Sequence, residues 1–457
     1  ALLFLVSEGI RQSGTLGQVI KKLLPQGKTS VFKAQLRILP SVAFISAFLN
    51  NTPVVVIFAP IIKHWAKSVN LPATKFLIPL SYVTILGGIC TLIGTSTNLV
   101  VHGMILEAGF EGFSMFELGK VGIFIAIAGI IYIFLFSKRL LPDARPDTAV
   151  PDEEIEEGEK FHRVEAVLGA RFPGINKKLK DFNFQRHYGA EVKEIKTRNG
   201  QRFVTNLDDV VLHEGDTLVV MADDTFIPTW GESSVFVLLT NGNEPDTSGK
   251  KKRWFALLLL VLMIVGATVG ELPVTKEMFP DIKLDMFFFV SITTIIMAWT
   301  NLFPARKYTK YISWDILITI ACAFAISKAM VNSGVADSVA KFIIRLSDDY
   351  GPHVLLAMVF IITNLFTELI TNNAAAALAF PLALSISAQL GVSPTPFFVV
   401  ICMAASASFS TPIGYQTNLI VQGIGNYKFT DFVRIGLPLN IITFLISIIL
   451  IPLIWNF

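Results

Sequence analysis

Thr97-Asn98-Leu99-Val100-Val101-His102-Gly103 returns 320 positions later as Thr417-Asn418-Leu419-Ile420-Val421-Gln422-Gly423. The same offset links Ser7-Glu8-Gly9-Ile10 to Ser327-Lys328-Ala329-Met330, and Gly14 to Gly334. By letter, Asn50-Asn51 matches Asn372-Asn373 at an offset of 322, and Gly122 matches Gly436 at 314. The register drifts while the order of landmarks holds, so the chain reads as two copies of one unit. In an apolar chain, polar interruptions at corresponding places in two halves point to a transport site near the bilayer midplane.

The composition agrees. Of 457 residues, 53% are hydrophobic and 16% charged, whereas soluble domains carry about 25% charged residues. Apolar runs at Met115–Phe136, Trp254–Val269, Leu284–Trp299, Ile316–Met330 and Phe432–Trp455 approach the roughly 17–25 residues that span a bilayer. The expected protein is an integral, multi-pass protein of the plasma or inner membrane, in contact with lipid. A net charge of +3 gives no reason to expect nucleic acid. Cys90, Cys322 and Cys402 lie far apart in apolar segments and read as small core residues. Sodium is the only metal expected, with no organic cofactor. The six histidines form no pair at metal spacing, and no nucleophile triad or phosphate loop appears, so an enzyme is not expected.

The expected fold is a mostly α-helical polytopic membrane protein, built from inverted repeats with two re-entrant hairpins and broken helices, plus a small soluble α+β insert. Residues 1–140 make the first repeat, 141–252 the insert and 253–457 the second repeat. The second half has a segment, 254–313, ahead of the partner of Leu2–Val6. By the repeat, at least two further helices, roughly 60–70 residues, are expected before Ala1.

The insert opens with the acidic run Asp152-Glu153-Glu154-Ile155-Glu156-Glu157. Alternating segments His162–Leu168, Ala190–Ile195 and Thr217–Met221 predict strands, Asn199-Gly200 a hairpin turn, and Gly174–Asn183 a short helix. Lys138-Arg139 and Lys250-Lys251-Lys252-Arg253 bracket the insert, which places it in the cytoplasm. The same rule makes the halves inverted, each with an odd number of crossings.

Ser46-Ala47-Phe48-Leu49-Asn50-Asn51-Thr52-Pro53 carries a polar tip between apolar runs too short to span, and Glu368-Leu369-Ile370-Thr371-Asn372-Asn373-Ala374 repeats it. Such tips are tolerated at membrane depth where they are buried in protein or line a wet cavity. A helix broken by glycine and hydroxyl residues follows each hairpin, at Gly87 through Asn98 and at Ser406 through Asn418. Breaks offer carbonyl oxygens to Na⁺ and helix N-termini to an anion. Neither tips nor breaks contain Lys or Arg. Glu368 is an acid inside an apolar hairpin, read as a Na⁺ ligand or a proton-coupling group, with Ser46 taken as its repeat partner. Glu8 and Lys328 are read as structural.

Together these residues resemble the divalent anion:sodium symporter family, whose repeats carry Ser-Asn-Thr tips and Gly-Ser-Pro-Pro-Asn-type turns. The matching turns here are Gly94-Thr95-Ser96-Thr97-Asn98 and Gly414-Tyr415-Gln416-Thr417-Asn418. The resemblance implies one sodium site at Ser46, Asn50, Asn51 and Gly94, and a second at Glu368, Thr371, Asn373 and Gly414. It implies an anion site at Asn50, Asn51, Thr52, Thr95, Asn372, Asn373 and Tyr415. Tyr415 replaces a small hydroxyl residue and Ala374 a threonine, which implies a smaller pocket. The stretch 160–230, with Val164–Leu168 and Glu214-Gly215-Asp216-Thr217-Leu218, resembles a TrkA C-terminal domain, which implies a small-molecule regulator. The implied protein is a homodimeric symporter moving sulfate with Na⁺ by alternating access. A dicarboxylate symporter, a proton-coupled transporter using Glu368, and an anion sensor are the alternatives.

Overall fold

The computed structural model describes all residues except 1, 144–160, 170, 198–200, 224–225, 231–234, 241–249, 271, 279–283, 305, 307, 313 and 347–350. The first half comprises α1 (Leu2–Gln12), α2 (Thr15–Leu23), α3 (Val31–Ser46), α4 (Asn51–Ser68), α5 (Leu77–Gly88), α6 (Ser96–Glu107) and α7 (Gly119–Leu140). The insert holds β1 (Phe161–Leu168), α8 (Phe184–Tyr188), β2 (Glu191–Lys196), β3 (Arg202–Phe203), β4 (Thr217–Asp223), α9 (Phe226–Trp230) and β5 (Phe236–Thr240). The second half starts with α10 (Lys250–Gly270), α11 (Pro273–Met278), α12 (Met286–Trp299) and α13 (Tyr308–Tyr311). It continues with α14 (Trp314–Asn332), α15 (Val335–Leu346), α16 (Pro352–Leu369), α17 (Asn372–Leu390), α18 (Thr395–Ser406), α19 (Gln416–Gly425) and α20 (Phe429–Ile454).

Among the described residues five helices are long and apolar enough to cross a membrane, or six if the bent pair α14–α15 counts as one span. That pair bends by 72° at Gly334, whose φ is +73°, and α1–α2 turns at Gly14 with φ +69°. Glycine is the residue that takes this left-handed conformation without strain. Both joints close identically: Ser13 N–H donates to Gly9 O and Ser333 N–H to Ala329 O, 3.1 and 2.9 Å. On α2, Leu16 and Ile20 are buried while Lys21 and Lys22 are exposed, so this arm is amphipathic. Leu445, Ile449 and Leu453 line an exposed apolar stripe on α20, a face suited to lipid.

The hydrophobic core runs through both halves, with Leu80, Val83, Phe397, Val400 and Cys402 fully or almost fully buried. Helices α5 and α18 are apolar all round because neighbouring helices enclose them. The insert has its own core of Val164, Ala166, Leu168, Phe172, Leu218 and Val220 behind a five-stranded sheet ordered β3-β2-β4-β1-β5. Its neighbouring strands pair antiparallel. The three predicted strands form. The helix expected over Gly174–Asn183 does not: a 3₁₀ turn occupies Leu179–Asp181. Pro173 and Gly174 open the segment and Asn176 sits at φ +61°, geometry that interrupts an α-helix. Helix α8 starts one residue beyond it, capped by the Asn183 side chain, which accepts from Arg186 N–H. The acidic run 152–157 and the Asn199-Gly200 turn lie outside the described residues.

Candidate functional site

Two hairpins and two breaks build the site, and their hydrogen bonds repeat pair by pair. Ser46 Oγ donates to Asn51 Oδ1, and Thr367 Oγ1 to Asn372 Oδ1, each 2.8 Å. Thr91 hydroxyl donates to Ala47 O, and Thr411 hydroxyl to Glu368 O. Gly94 N–H reaches Thr91 Oγ1 at 3.1 Å and Gly414 N–H reaches Thr411 Oγ1 at 3.4 Å. Asn98 Nδ2 ties the first break by donating to Thr91 O, and Asn418 Nδ2 ties the second through Thr411 O, 2.9 and 3.1 Å. Gly122 and Gly436 let α7 and α20 press against the break carbonyls: an added Cβ would stand 2.7 Å from Ile89 O and 2.0 Å from Phe409 O.

These bonds correct the register at the hairpin tips. Thr367, not Glu368, matches Ser46; Asn372 matches Asn51; Glu368 falls opposite Ala47. Pairing the two Asn-Asn dipeptides by letter puts the second tip one residue out. Helix α16 runs on to Leu369 where its counterpart α3 stops at Ser46, so the second connection is shorter than it looks in sequence.

Four helices start at the centre: α4, α6, α17 and α19, behind Asn50, Thr95, Thr371 and Tyr415. Tyr415 is 8% exposed. Its hydroxyl accepts from Asn51 Nδ2 at 2.5 Å and shares a bond with Thr95 Oγ1 at 3.1 Å. The halves cross-link reciprocally. Thr52 Oγ1 donates to Gln416 Oε1, and Ser96 and Thr97 hydroxyls donate to Asn373 Oδ1, all at 3.3 Å. Reciprocal contacts of this kind are what a two-fold relation produces. Asn50 faces elsewhere, lining with Ser96, Leu3, Ser7 and Met263 a cavity of about 30 Å³ against α1 and α10.

Helix N-termini, amides and hydroxyls are groups that can hold an anion, and they stand beside oxygen-lined glycines. Asn51 Oδ1 and Gly94 O would lie 2.6 and 3.1 Å from a Cβ on Gly88, and Gly88 O and Ala47 O 2.5 and 3.0 Å from one on Gly94. Each glycine thus has two oxygens where a side chain would stand, donors of the kind a hard cation takes. In the second half Ser408 stands where Gly88 does. Its hydroxyl and Thr367 O would lie 2.1 and 2.2 Å from a Cβ on Gly414.

Of the expected residues, Ser46, Asn51, Tyr415 and Thr95 come together in one hydrogen-bonded chain, while Asn372 is held by Thr367. Thr52 and Asn373 bind the start of the opposite broken helix, and Thr371 caps α17 by accepting from Ala374 N–H. Glu368 turns away, its carboxylate accepting from Ser410 N–H at 2.9 Å and Asn440 Nδ2 at 2.7 Å. Sequence reading passed over Thr91, Thr411, Asn98 and Asn418, although the 320-residue repeat contains all four. Ser81, which donates to Thr417 Oγ1 and Asn418 Oδ1, has no such signal: Ile401 stands at its repeat position.

The insert rests on the same helices. Lys63 on α4 pairs with Glu165 on β1 at 3.0 Å, with Lys196 on β2 at 3.4 Å on the other side. Burial alone would raise the Glu165 carboxyl, but Lys63, Lys196 and Arg163 bring it down to about 2. Gly215 and Gly423 form the second contact. A Cβ on Gly215 would stand 2.5 Å from the Leu419 side chain, and one on Gly423 2.5 Å from Thr217 Oγ1.

Comparison with known proteins follows the same outline. The profile of the citrate transporter family matches residues 1–382 and 274–456. An uncharacterized transporter of Synechocystis is 30% identical over 99% of this chain and 88% of its own. A putative sulfur deprivation response regulator of Chlamydomonas reinhardtii is 28% identical over 98% of this chain and 91% of its own. A probable sodium/sulfate cotransporter of that alga is 33% identical over 61% of this chain and 31% of its own.

Proposed function

The chain belongs to the citrate transporter family, and from that membership we propose that it is a sodium-coupled symporter for sulfate or an inorganic dianion of similar size. It is a multi-pass membrane transporter and not an enzyme. The observation that carries the choice of anion is Tyr415. Its ring and hydroxyl stand between Asn51 and Thr95, bulk that favours a compact oxyanion over citrate. Relatives named for sulfate support the same reading.

The anion would be held by the starts of α4, α6, α17 and α19, by the Asn51 and Asn372 amides, and by the Thr52, Thr95 and Tyr415 hydroxyls, with Asn50 and Asn373 at the rim. Two Na⁺ ions would offset its charge. One takes the space bounded by Ser46, Asn50, Asn51 and Gly94; the other takes the register-matched set Thr367, Thr371, Asn372 and Gly414. Neutral oxygens hold Na⁺ without leaving a buried charge when the site empties. Alternating access would carry hairpins and broken helices across a scaffold in a homodimer. The insert would be a cytoplasmic, TrkA C-terminal-like regulatory domain with a small-molecule ligand.

The test is uptake of labelled sulfate into proteoliposomes with and without an inward Na⁺ gradient, with succinate and citrate as competitors. Na⁺-driven uptake indifferent to both carboxylates is expected. Uptake blocked by either makes the protein a carboxylate carrier, and flux indifferent to Na⁺ removes the cation assignments.

A further inference from the structure

The second half contains a polar pocket that the first half lacks. Glu368 on α16 is half-buried and accepts from Ser410 N–H, Asn440 Nδ2 and, at 3.5 Å, Ser408 Oγ. Asn440 on α20 also donates to Ser410 Oγ at 2.9 Å. Behind them, Asn440 Oδ1 and Ser406 Oγ are buried without a hydrogen-bond partner, although Asn440 is only 6% and Ser406 0% exposed. An orphaned acceptor at that depth is a cost to the fold that a ligand would offset.

The repeat shows that this pocket is an addition. Through the registers fixed by the matched bonds, Ala47 stands for Glu368, Leu86 for Ser406, Gly88 for Ser408, Cys90 for Ser410 and Ala126 for Asn440. Every oxygen-bearing side chain of the cluster therefore has a counterpart in the first half without one. Among the described residues no basic side chain pairs with Glu368. Tyr82, whose hydroxyl donates to Phe409 O at 2.5 Å, and Tyr415 within the break itself are further titratable groups here. A carboxylate at membrane depth without a basic partner calls for a cation.

We propose that Glu368, Asn440, Ser408 and Ser410 form a further Na⁺ site, which adjoins the second of the two spaces related by the repeat and shares Ser408 with it. A carboxylate, two hydroxyls and an amide oxygen are hard donors carrying one negative charge, the set a monovalent hard cation takes. Asn440 needs only to turn its amide for the orphaned Oδ1 to face the ion. Beyond that shared serine the two diverge, since the Thr367 hydroxyl points to Asn372 and Ala405 O, while its neighbour Glu368 points to Asn440 on α20. The pocket sits on the second break, so an occupied site would fix the backbone that positions Tyr415.

The proposal rests on the sodium-coupled reading, and the experiment separates the two. Purified full-length protein in nanodiscs is heated in NaCl or choline chloride without any anion substrate, comparing wild type with Glu368→Gln and Asn440→Leu. Reversal potentials in proteoliposomes then give the Na⁺ carried per anion. The expected result is a Na⁺-specific rise in Tm that is smaller in both variants, with one fewer Na⁺ per anion in each. An unchanged coupling ratio in both variants overturns the further site while leaving sodium coupling intact. A wild type indifferent to Na⁺ overturns both readings. A reversal potential that follows the proton gradient and loses that dependence in Glu368→Gln makes Glu368 a proton site and overturns the Na⁺ assignment. The two variants remove different side chains on different helices, so a misfolded one leaves the other to decide.

Discussion

The Tyr415 hydroxyl lies 2.5 Å from the Asn51 amide nitrogen, joining residues 364 positions apart across the two halves. Because Thr95 occupies the equivalent place in the first half, the site is asymmetric at its centre. Tyr415→Thr restores the small hydroxyl and opens the volume of a phenol ring. Inhibition of uptake by citrate or succinate should then rise at least about tenfold, roughly 1.4 kcal/mol of binding. Tyr415→Phe keeps the bulk and strips a bond from Asn51 and Thr95, which costs about 1–3 kcal/mol in anion affinity without admitting carboxylates. Competition curves for the two variants check both outcomes.

Gly94 and Gly414 test the cation spaces. An added methyl meets Gly88 O at 2.5 Å in one and Thr367 O at 2.2 Å in the other, and backbone carbonyls have little freedom to move. Each Gly→Ala change should cost about 1–3 kcal/mol locally, read as a Na⁺ half-saturation raised roughly tenfold with anion selectivity unchanged. Gly103→Ala is the control, since its added Cβ meets only Phe324 at 3.6 Å. Equal Na⁺ dependence in all three variants would remove the glycine-lined spaces from the mechanism.

Sequence reading reached the repeat, the breaks and the long spans because glycine and hydroxyl residues stand out in an apolar chain. Helices α7, α10 and α20 take up three of the five runs read as spans, while the other two fall on the shorter helix α12 and on the bent pair α14–α15. The hairpin register was not legible, since two Asn-Asn letters outweighed the unseen bonds from Ser46 and Thr367. The orientation of Glu368 depends on Asn440, 72 positions away on another helix, and no local pattern encodes that. The seating of the insert was equally hidden, because Gly215 and Gly423 look like any turn or helix glycine until their neighbours are known.

Acid should loosen the insert. Glu165 is held at about 2 against an ordinary value of 4.5, so its contribution is complete above about pH 4.5 and fades as pH falls toward 2. The difference corresponds to at most about 3 kcal/mol. Limited proteolysis of the insert by an acid-active protease should accelerate as the pH falls from about 4.5 toward 2, and Lys63→Ala should flatten that dependence while Lys196 retains part of it. A cleavage rate that stays level across this range would remove the Lys63–Glu165 pair as the tether.

Release of the insert should alter the turnover rate. It holds α4 through Lys63 and α19 through Leu419 and Gly423, and both helices begin at the anion site. Any movement of the hairpins and broken helices must carry the insert along or detach it. Gly423→Val places methyl groups where Thr217 Oγ1 already stands 2.5 Å from a Cβ position, so it should lift β4 from α19 without touching the anion site. The expected variant shows faster proteolysis of the insert and a higher kcat, with KM for the anion unchanged, because the load is removed from the moving step and not from binding. Faster cleavage with kcat unchanged would make the insert a passenger on the transport core rather than a brake.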